Sequence, residues 1–158
     1  MAFPLPELTL QRDLLLGFRF GVFFFATGVV PNPLDIRFQR VKGLSASVTT
    51  KPLTEGGQNL YTQKLPVGIE HGNLVLERGM VVGSPLNVEF NAAISLFKFL
   101  PSNVLVTLFN EASVPVSAWM FMKAFPVKWS TSDLDATEKS VVIDTLELAY
   151  AQMMIMRI

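Results

Sequence analysis

The sequence predicts a mainly β domain, an antiparallel barrel or sandwich with one packed α-helix. Apolar residues recur with period two in several separate runs. A single stretch carries helix-start chemistry and a helical apolar stripe. Helices do not alternate with the strands, which argues against a doubly wound parallel sheet. The 158 residues suit one domain, read here as residues 1–158 with residues 1–16 as an extended N-terminal arm.

The arm contains Pro4 and Pro6, which suit an extended chain better than a helix. Phe18, Phe20, Val22 and Phe24 then share one face of a strand, and Phe23 and Phe25 make the other face apolar towards its end. Pro31-Asn32-Pro33 forces a turn. A long strand region begins at Asp35, where Ile36 and Phe38 alternate with Arg37 and Gln39. It resumes beyond a bulge or bend at Gly43 as Leu44, Ala46 and Val48 alternating with Ser45, Ser47 and Thr49. Residues 52–59 read as a loop with positive-φ freedom at Gly56-Gly57. Strand signals return at Leu60–Leu65 and Leu74–Glu77.

The helix has Ser84 as N-cap, Pro85 in the first turn, and Leu86, Phe90, Ala93, Ile94 and Phe97 as its apolar stripe. Pro101 limits its far end. A strand over 104–109, a hairpin turn at Asn110–Ser113 and a strand from Val114 towards Trp129 follow. A loop over 130–138 leads to one last strand over roughly residues 140–154. The tally is about seven strands and one helix.

Half the residues are apolar, 13 are Phe and 16% are charged. A chain of this size buries roughly 70% of its unfolded surface by itself, and the excess apolar content points to surface covered by partner subunits. The 13 basic and 13 acidic residues balance, with no Lys/Arg cluster, so no nucleic-acid specificity is evident. Cysteine is absent, which removes disulfides and thiolate metal sites. The apolar run from Phe20 to Val30 falls short of the ~20 residues of a membrane helix and reads as a buried strand. Synthesis in the cytoplasm without a signal peptide and no membrane insertion as a monomer are the corresponding expectations.

Catalytic chemistry is sparse. His71 stands alone in a Glu-His-Gly-Asn turn, with no second His or Cys for a zinc site, and reads as a surface residue. Gly43-Leu44-Ser45-Ala46-Ser47 lacks the second Gly of a nucleophile elbow. Asp133 and Asp135 read as turn formers. Glu55-Gly56-Gly57 lacks the Gly-Lys-Ser/Thr ending of a phosphate loop and reads as a hairpin tip. Trp119 and Trp129 have no basic groove beside them and belong to a core or a subunit interface. No enzyme activity, cofactor or metal is expected.

Several segments together resemble the phage tail tube protein family, shared with the inner tubes of contractile injection systems. They are Gly17–Val22, Val41–Leu44, Glu55–Asn59, Lys64–Pro66, Gly72–Gly79, Trp119–Trp129, Ser132–Ala136 and Val142–Ala149, in the family's order across residues 17–150. The resemblance implies a β-barrel-like core with a helix at its side and an extended β-hairpin. It implies homo-hexameric rings that stack around a lumen, within a sheath whose contraction drives the tube through a target envelope. Sheath, baseplate and spike proteins are the implied partners, with possible lumenal cargo.

On this resemblance the segment Leu44–Leu65 is the inter-subunit hairpin, with Leu44, Val48, Glu55, Gly56, Gly57, Gln58, Asn59 and Leu65 as its contact residues. Arg37, Gln39, Ser45, Ser47 and Thr49 are lumen or interface candidates. The chain departs from the family in lacking tryptophans in its helix, and in an unusually apolar arm and Met153–Met156 tail. Those departures fit a baseplate-proximal tube-initiator or spike-adaptor ring as well as a repeated tube subunit. A ring-forming secreted effector or carrier is the third reading.

Overall fold

A computed structural model describes residues 19–25, 37–80 and 85–157. The elements are β1 (Phe20–Phe25), β2 (Arg40–Lys42), β3 (Ala46–Leu53), β4 (Gln63–His71), β5 (Leu74–Gly79), α1 (Pro85–Leu96), β6 (Ser102–Phe109), β7 (Pro115–Thr131), β8 (Ile143–Ala149) and β9 (Gln152–Arg157). The expected N-terminal arm, the Pro31–Pro33 turn and the Ser84 cap lie outside the described residues.

Every strand pair among the described residues is antiparallel. The strands run in the order β1-β6-β7-β8-β5-β2, with β9 on β7, and β3–β4 form a separate ribbon. β7 joins two layers. Its first half pairs β6 and β9, and its second half pairs β8. The strand turns between them at Lys123, a non-glycine residue at φ 54. The Asn103 side chain accepts the Lys123 N–H at 3.2 Å, and Ala151 N–H donates to the Met122 carbonyl at 3.0 Å. This corner closes the two layers into a partial barrel.

The core fills the space between the layers. Val22, Phe24, Val104, Val106 and Phe121 come from the first layer, and Leu74, Leu76, Leu146 and Leu148 from the second. Alternation explains the selection: β5 and β8 bury every second residue. Each such side chain contributes roughly 1.5–3 kcal/mol when fully buried. Trp119 and Trp129 pack against this cluster, as the sequence suggests.

α1 has no acidic residue in its first turn and no basic residue in its last, so charged side chains within those turns do not offset its dipole. Packing holds it instead. Leu86 and Phe90 are buried, and the Phe90 ring meets Trp129 edge-on at 6.1 Å. Arg78 on β5, itself buried, donates to the Asn87 side-chain oxygen at 2.7 Å. The expected stripe holds for Leu86, Phe90 and, half-buried, Ala93, whereas Ile94 and Phe97 are exposed. The helix is seated by its first two turns, and Phe97, just past its end, lies at φ 50.

Three strand assignments change. The region from Asp35 to Thr49 is not one bent strand: residues 43–45 interrupt it between β2 and β3. β3 runs on through Pro52 and Leu53, and its partner spans Gln63–His71 instead of 60–65, so the ribbon is longer than the loop signals implied. The last strand is two, β8 and β9, separated at Tyr150–Ala151.

Candidate functional site: the exposed hairpin and the open sheet edges

The β3–β4 ribbon stands off the core. Pairing runs from Ala46 opposite His71 to Leu53 opposite Gln63, with a bulge that shifts the register between Thr49 and Thr50. All residues from Ser45 to Glu70 are exposed. Val48 and Ile69, cross-strand partners, are both uncovered, as are Leu65 and Val67. A two-stranded ribbon without a covered face is marginal alone in water.

The root of the ribbon is built for a bend. Gly43 lies at φ 90, and a Cβ there would be driven into the Asn73 carbonyl oxygen. Asn73 donates to Glu147 Oε1 at 2.7 Å, tying the root to β8. Lys42 and Arg40 meet Glu77 at 3.1 and 3.5 Å. His71 is not the free surface residue the sequence suggested. It is half-buried, its ring 5.5 Å from Tyr150, which in turn meets the core Phe121 edge-on at 4.7 Å. Burial raises the Tyr150 phenol above its ordinary value.

The tip is ordered by Gln58, whose side-chain amide donates to the Tyr61 hydroxyl at 2.7 Å and whose backbone N–H donates to the Glu55 carbonyl at 3.3 Å. Gly57 supplies the positive φ there, with open space around it. The hairpin residues expected from sequence therefore divide. Val48, Glu55, Gly56, Gly57, Gln58, Asn59 and Leu65 lie along the exposed ribbon, while Leu44 sits below it, packed against the core. Leu60, 95% exposed, and Tyr61 extend the tip beyond the residues singled out. Their apolar character beside Gly56-Gly57 was the signal. Ser45, Ser47 and Thr49 are exposed at the lower ribbon, and Arg37 and Gln39 are exposed just before β2.

The first layer leaves two edges. Among the described residues β1 pairs with β6 and β9 with β7, and neither has a second neighbour. β9 is exposed along most of its length and apolar at Met154, Ile155 and Met156. The layer's face away from the core carries Phe23, Leu105, Met120 and Met154 in one cross-strand row. Beside it runs the row Gly21, Thr107, Ala118 and Met156.

Elsewhere the chemistry is that of turns. Asp135 Oδ1 accepts from the Thr137 hydroxyl at 2.6 Å and its N–H at 2.9 Å, which holds the carboxyl below its ordinary value. It acts as the turn former expected. Among the described residues no group of three His, Cys, Asp or Glu could hold a metal ion, and no helix is long and apolar enough to cross a membrane.

A comparison with curated proteins gives no match. Among solved structures, a chain of the anti-feeding prophage (AFP) baseplate, determined by cryo-EM with 6-fold symmetrisation, is 38% identical. It aligns over 99% of this chain and 98% of that one, with a TM-score of 0.83. The AFP tube-terminating cap structure holds a chain 23% identical, matched over 100% of both chains with a TM-score of 0.81. The sheath-tube complex of an extracellular contractile injection system, PVC, in its extended state holds one 21% identical over 94% and 95% of the chains, with a TM-score of 0.78. The family model described as T4-like virus tail tube protein gp19 matches residues 16–154. The chain belongs to the T4-like tail tube family and is a tail-tube-like protein of contractile injection systems.

Proposed function

We propose that this chain assembles into hexameric rings by annealing the free edge of β9 on one copy to the free edge of β1 on the next. The open first layer carries this reading. A long apolar edge strand is a liability on a monomer and a joining device in a ring. The strands β1, β6, β7 and β9 alternate in direction, so an even number per copy lets β9 meet the next β1 antiparallel and the alternation continue around the ring. A head-to-tail contact of this kind closes when the rotation per copy permits. The sixfold symmetry of the AFP baseplate structure supports six copies.

In such a ring the face bearing Phe23, Leu105, Met120 and Met154 lines the lumen, and α1 lies outside, where a sheath would surround it. The exposed ribbon reaches a neighbouring copy, with Arg37, Gln39, Ser45, Ser47 and Thr49 as contacts near its root. The rings form part of the inner tube driven outward by sheath contraction. The apolar inner face and the exposed Met154–Met156 edge favour a second reading, a baseplate-proximal ring that packs on a spike or adaptor. The 38% identical baseplate chain supports it too.

Negative-stain electron microscopy of untagged protein over a concentration series tests both. Rings that stack into hollow tubes favour the repeated subunit. Isolated rings favour the baseplate-proximal one. A monomer that never joins a tail assembly, even with neighbouring proteins present, refutes the tube function.

A further inference from the structure

α1 leaves a groove where its C-terminal half lifts off the sheet. The cavity there has a volume of about 350 Å³ and lies between Phe90, Ala93 and Leu96 of the helix and Ala124, Pro126 and Leu148 of the sheet. Glu89 and Lys98 also line it, giving one carboxylate and one ammonium around an apolar floor. Leu100, 85% exposed, lines it as well. Phe97, Phe99 and Phe125 form an adjoining edge-on aromatic chain with centroid separations of 5.1 and 6.0 Å. Phe97 is 83% exposed and held at φ 50, a conformation that phenylalanine rarely adopts. A contiguous apolar surface of this kind marks an interaction site.

We infer that this groove receives the tip of the β3–β4 ribbon from a second copy of the chain. The inference rests on the ring-assembly reading and names the seat of the ribbon within it. The ribbon tip presents Leu60, 95% exposed, and the ring of Tyr61, more than half exposed beside its hydroxyl's bond to Gln58. The volume of the groove lies in the range of sites that take a small apolar ligand. The charges are complementary in sign as well: the exposed ribbon carries Glu55 at its tip and Lys51 and Lys64 along its strands, against Lys98 and Glu89 at the groove. Donor and receptor sit on different parts of one chain, so each copy gives a ribbon and takes one, a heterologous contact that propagates.

The cysteine-free chain allows a direct test. Leu60→Cys and Leu100→Cys are introduced on separate molecules, the two proteins are mixed and assembled, and the mixture is mildly oxidised. Rings are scored by electron microscopy and cross-links by non-reducing gel. Leu134→Cys, at an exposed loop position, replaces Leu100→Cys in the control mixture. The expected result is a Leu60–Leu100 dimer forming at least tenfold faster than the control dimer, within normal rings. Normal rings in which the two pairs cross-link at equal rates overturn the docking while leaving the ring reading intact. A faster cross-link from Leu5→Cys to Leu100→Cys gives the groove to the N-terminal segment and also overturns it. Wild-type protein that forms no rings, alone or with neighbouring tail proteins, removes the assembly reading and the docking with it.

Discussion

Replacing Gly43 by alanine isolates the bend that launches the ribbon. Two costs add at this position. An L-residue in the left-handed region costs roughly 1–2 kcal/mol, and Gly43 lies at φ 90. The new methyl group also meets the Asn73 carbonyl, a backbone atom that cannot swing aside as a side-chain end can. Relieving such an overlap by backbone shift costs about 1–3 kcal/mol more. Gly57→Ala is the matched control. Its φ is 92, yet nothing lies within 4 Å of the added methyl, so it bears the conformational cost alone. The assay is urea unfolding at matched protein concentration, because assembly couples stability to concentration. Gly43→Ala should be less stable than Gly57→Ala by at least about 1 kcal/mol. Equal stabilities within about 0.5 kcal/mol would refute the close passage of Asn73 behind Gly43 and, with it, the bend.

Phe121→Ala removes a ring with no exposed surface at the meeting of both layers, and should cost about 3–5 kcal/mol in urea unfolding. Ile155→Lys places a charge on the exposed β9 edge. The monomer should keep its melting temperature within a few degrees, while sedimentation velocity should show ring dissociation at tenfold higher protein concentration or more. Tyr150 should ionise late in a spectrophotometric alkaline titration, and Tyr150→Phe should remove that late component. Its folded pKa is raised by burial, so the neutral phenol's contribution to stability is complete below the unfolded value. It is lost as pH rises through the folded one, placing the loss on the alkaline side.

Period-two alternation revealed most of the strands because the core lies between two layers, which forces every second residue inward on β5 and β8. α1 was equally legible from Pro85, Leu86 and Phe90. The corner in β7 was not: Lys123 is neither Gly nor Pro, and its positive φ is held by Asn103, twenty residues away in sequence. The division of the last strand at Tyr150 was hidden for a related reason. Met153–Met156 continues the apolar run, while the change of partner from β5 and β7 to β7 alone is a tertiary event. The tip of the ribbon was recognisable from Glu55-Gly56-Gly57, but its length was not. Pro52 and Pro66 look like strand breakers, and an isolated ribbon with free edges tolerates them.

The placement of exposed apolar residues bears on how assembly could be cooperative. Most of them gather on the ribbon, along the C-terminal half of α1 with the chain beyond it, and on β9. On the proposed reading each patch meets a different surface of a neighbour, so a copy that joins by its β9 edge also brings a ribbon within reach of a groove. The second contact then forms at high effective concentration, without the full entropic cost of a new encounter. Two weak contacts suffice where one strong edge would invite indiscriminate strand pairing. This predicts a specific asymmetry. Blocking the groove with Leu100→Arg should slow ring growth and lower ring stability without changing the number of copies per ring, because strand geometry at the β9–β1 junction sets the rotation. If symmetry classes in electron micrographs changed with Leu100→Arg, the groove and not the sheet edge would fix the ring's curvature.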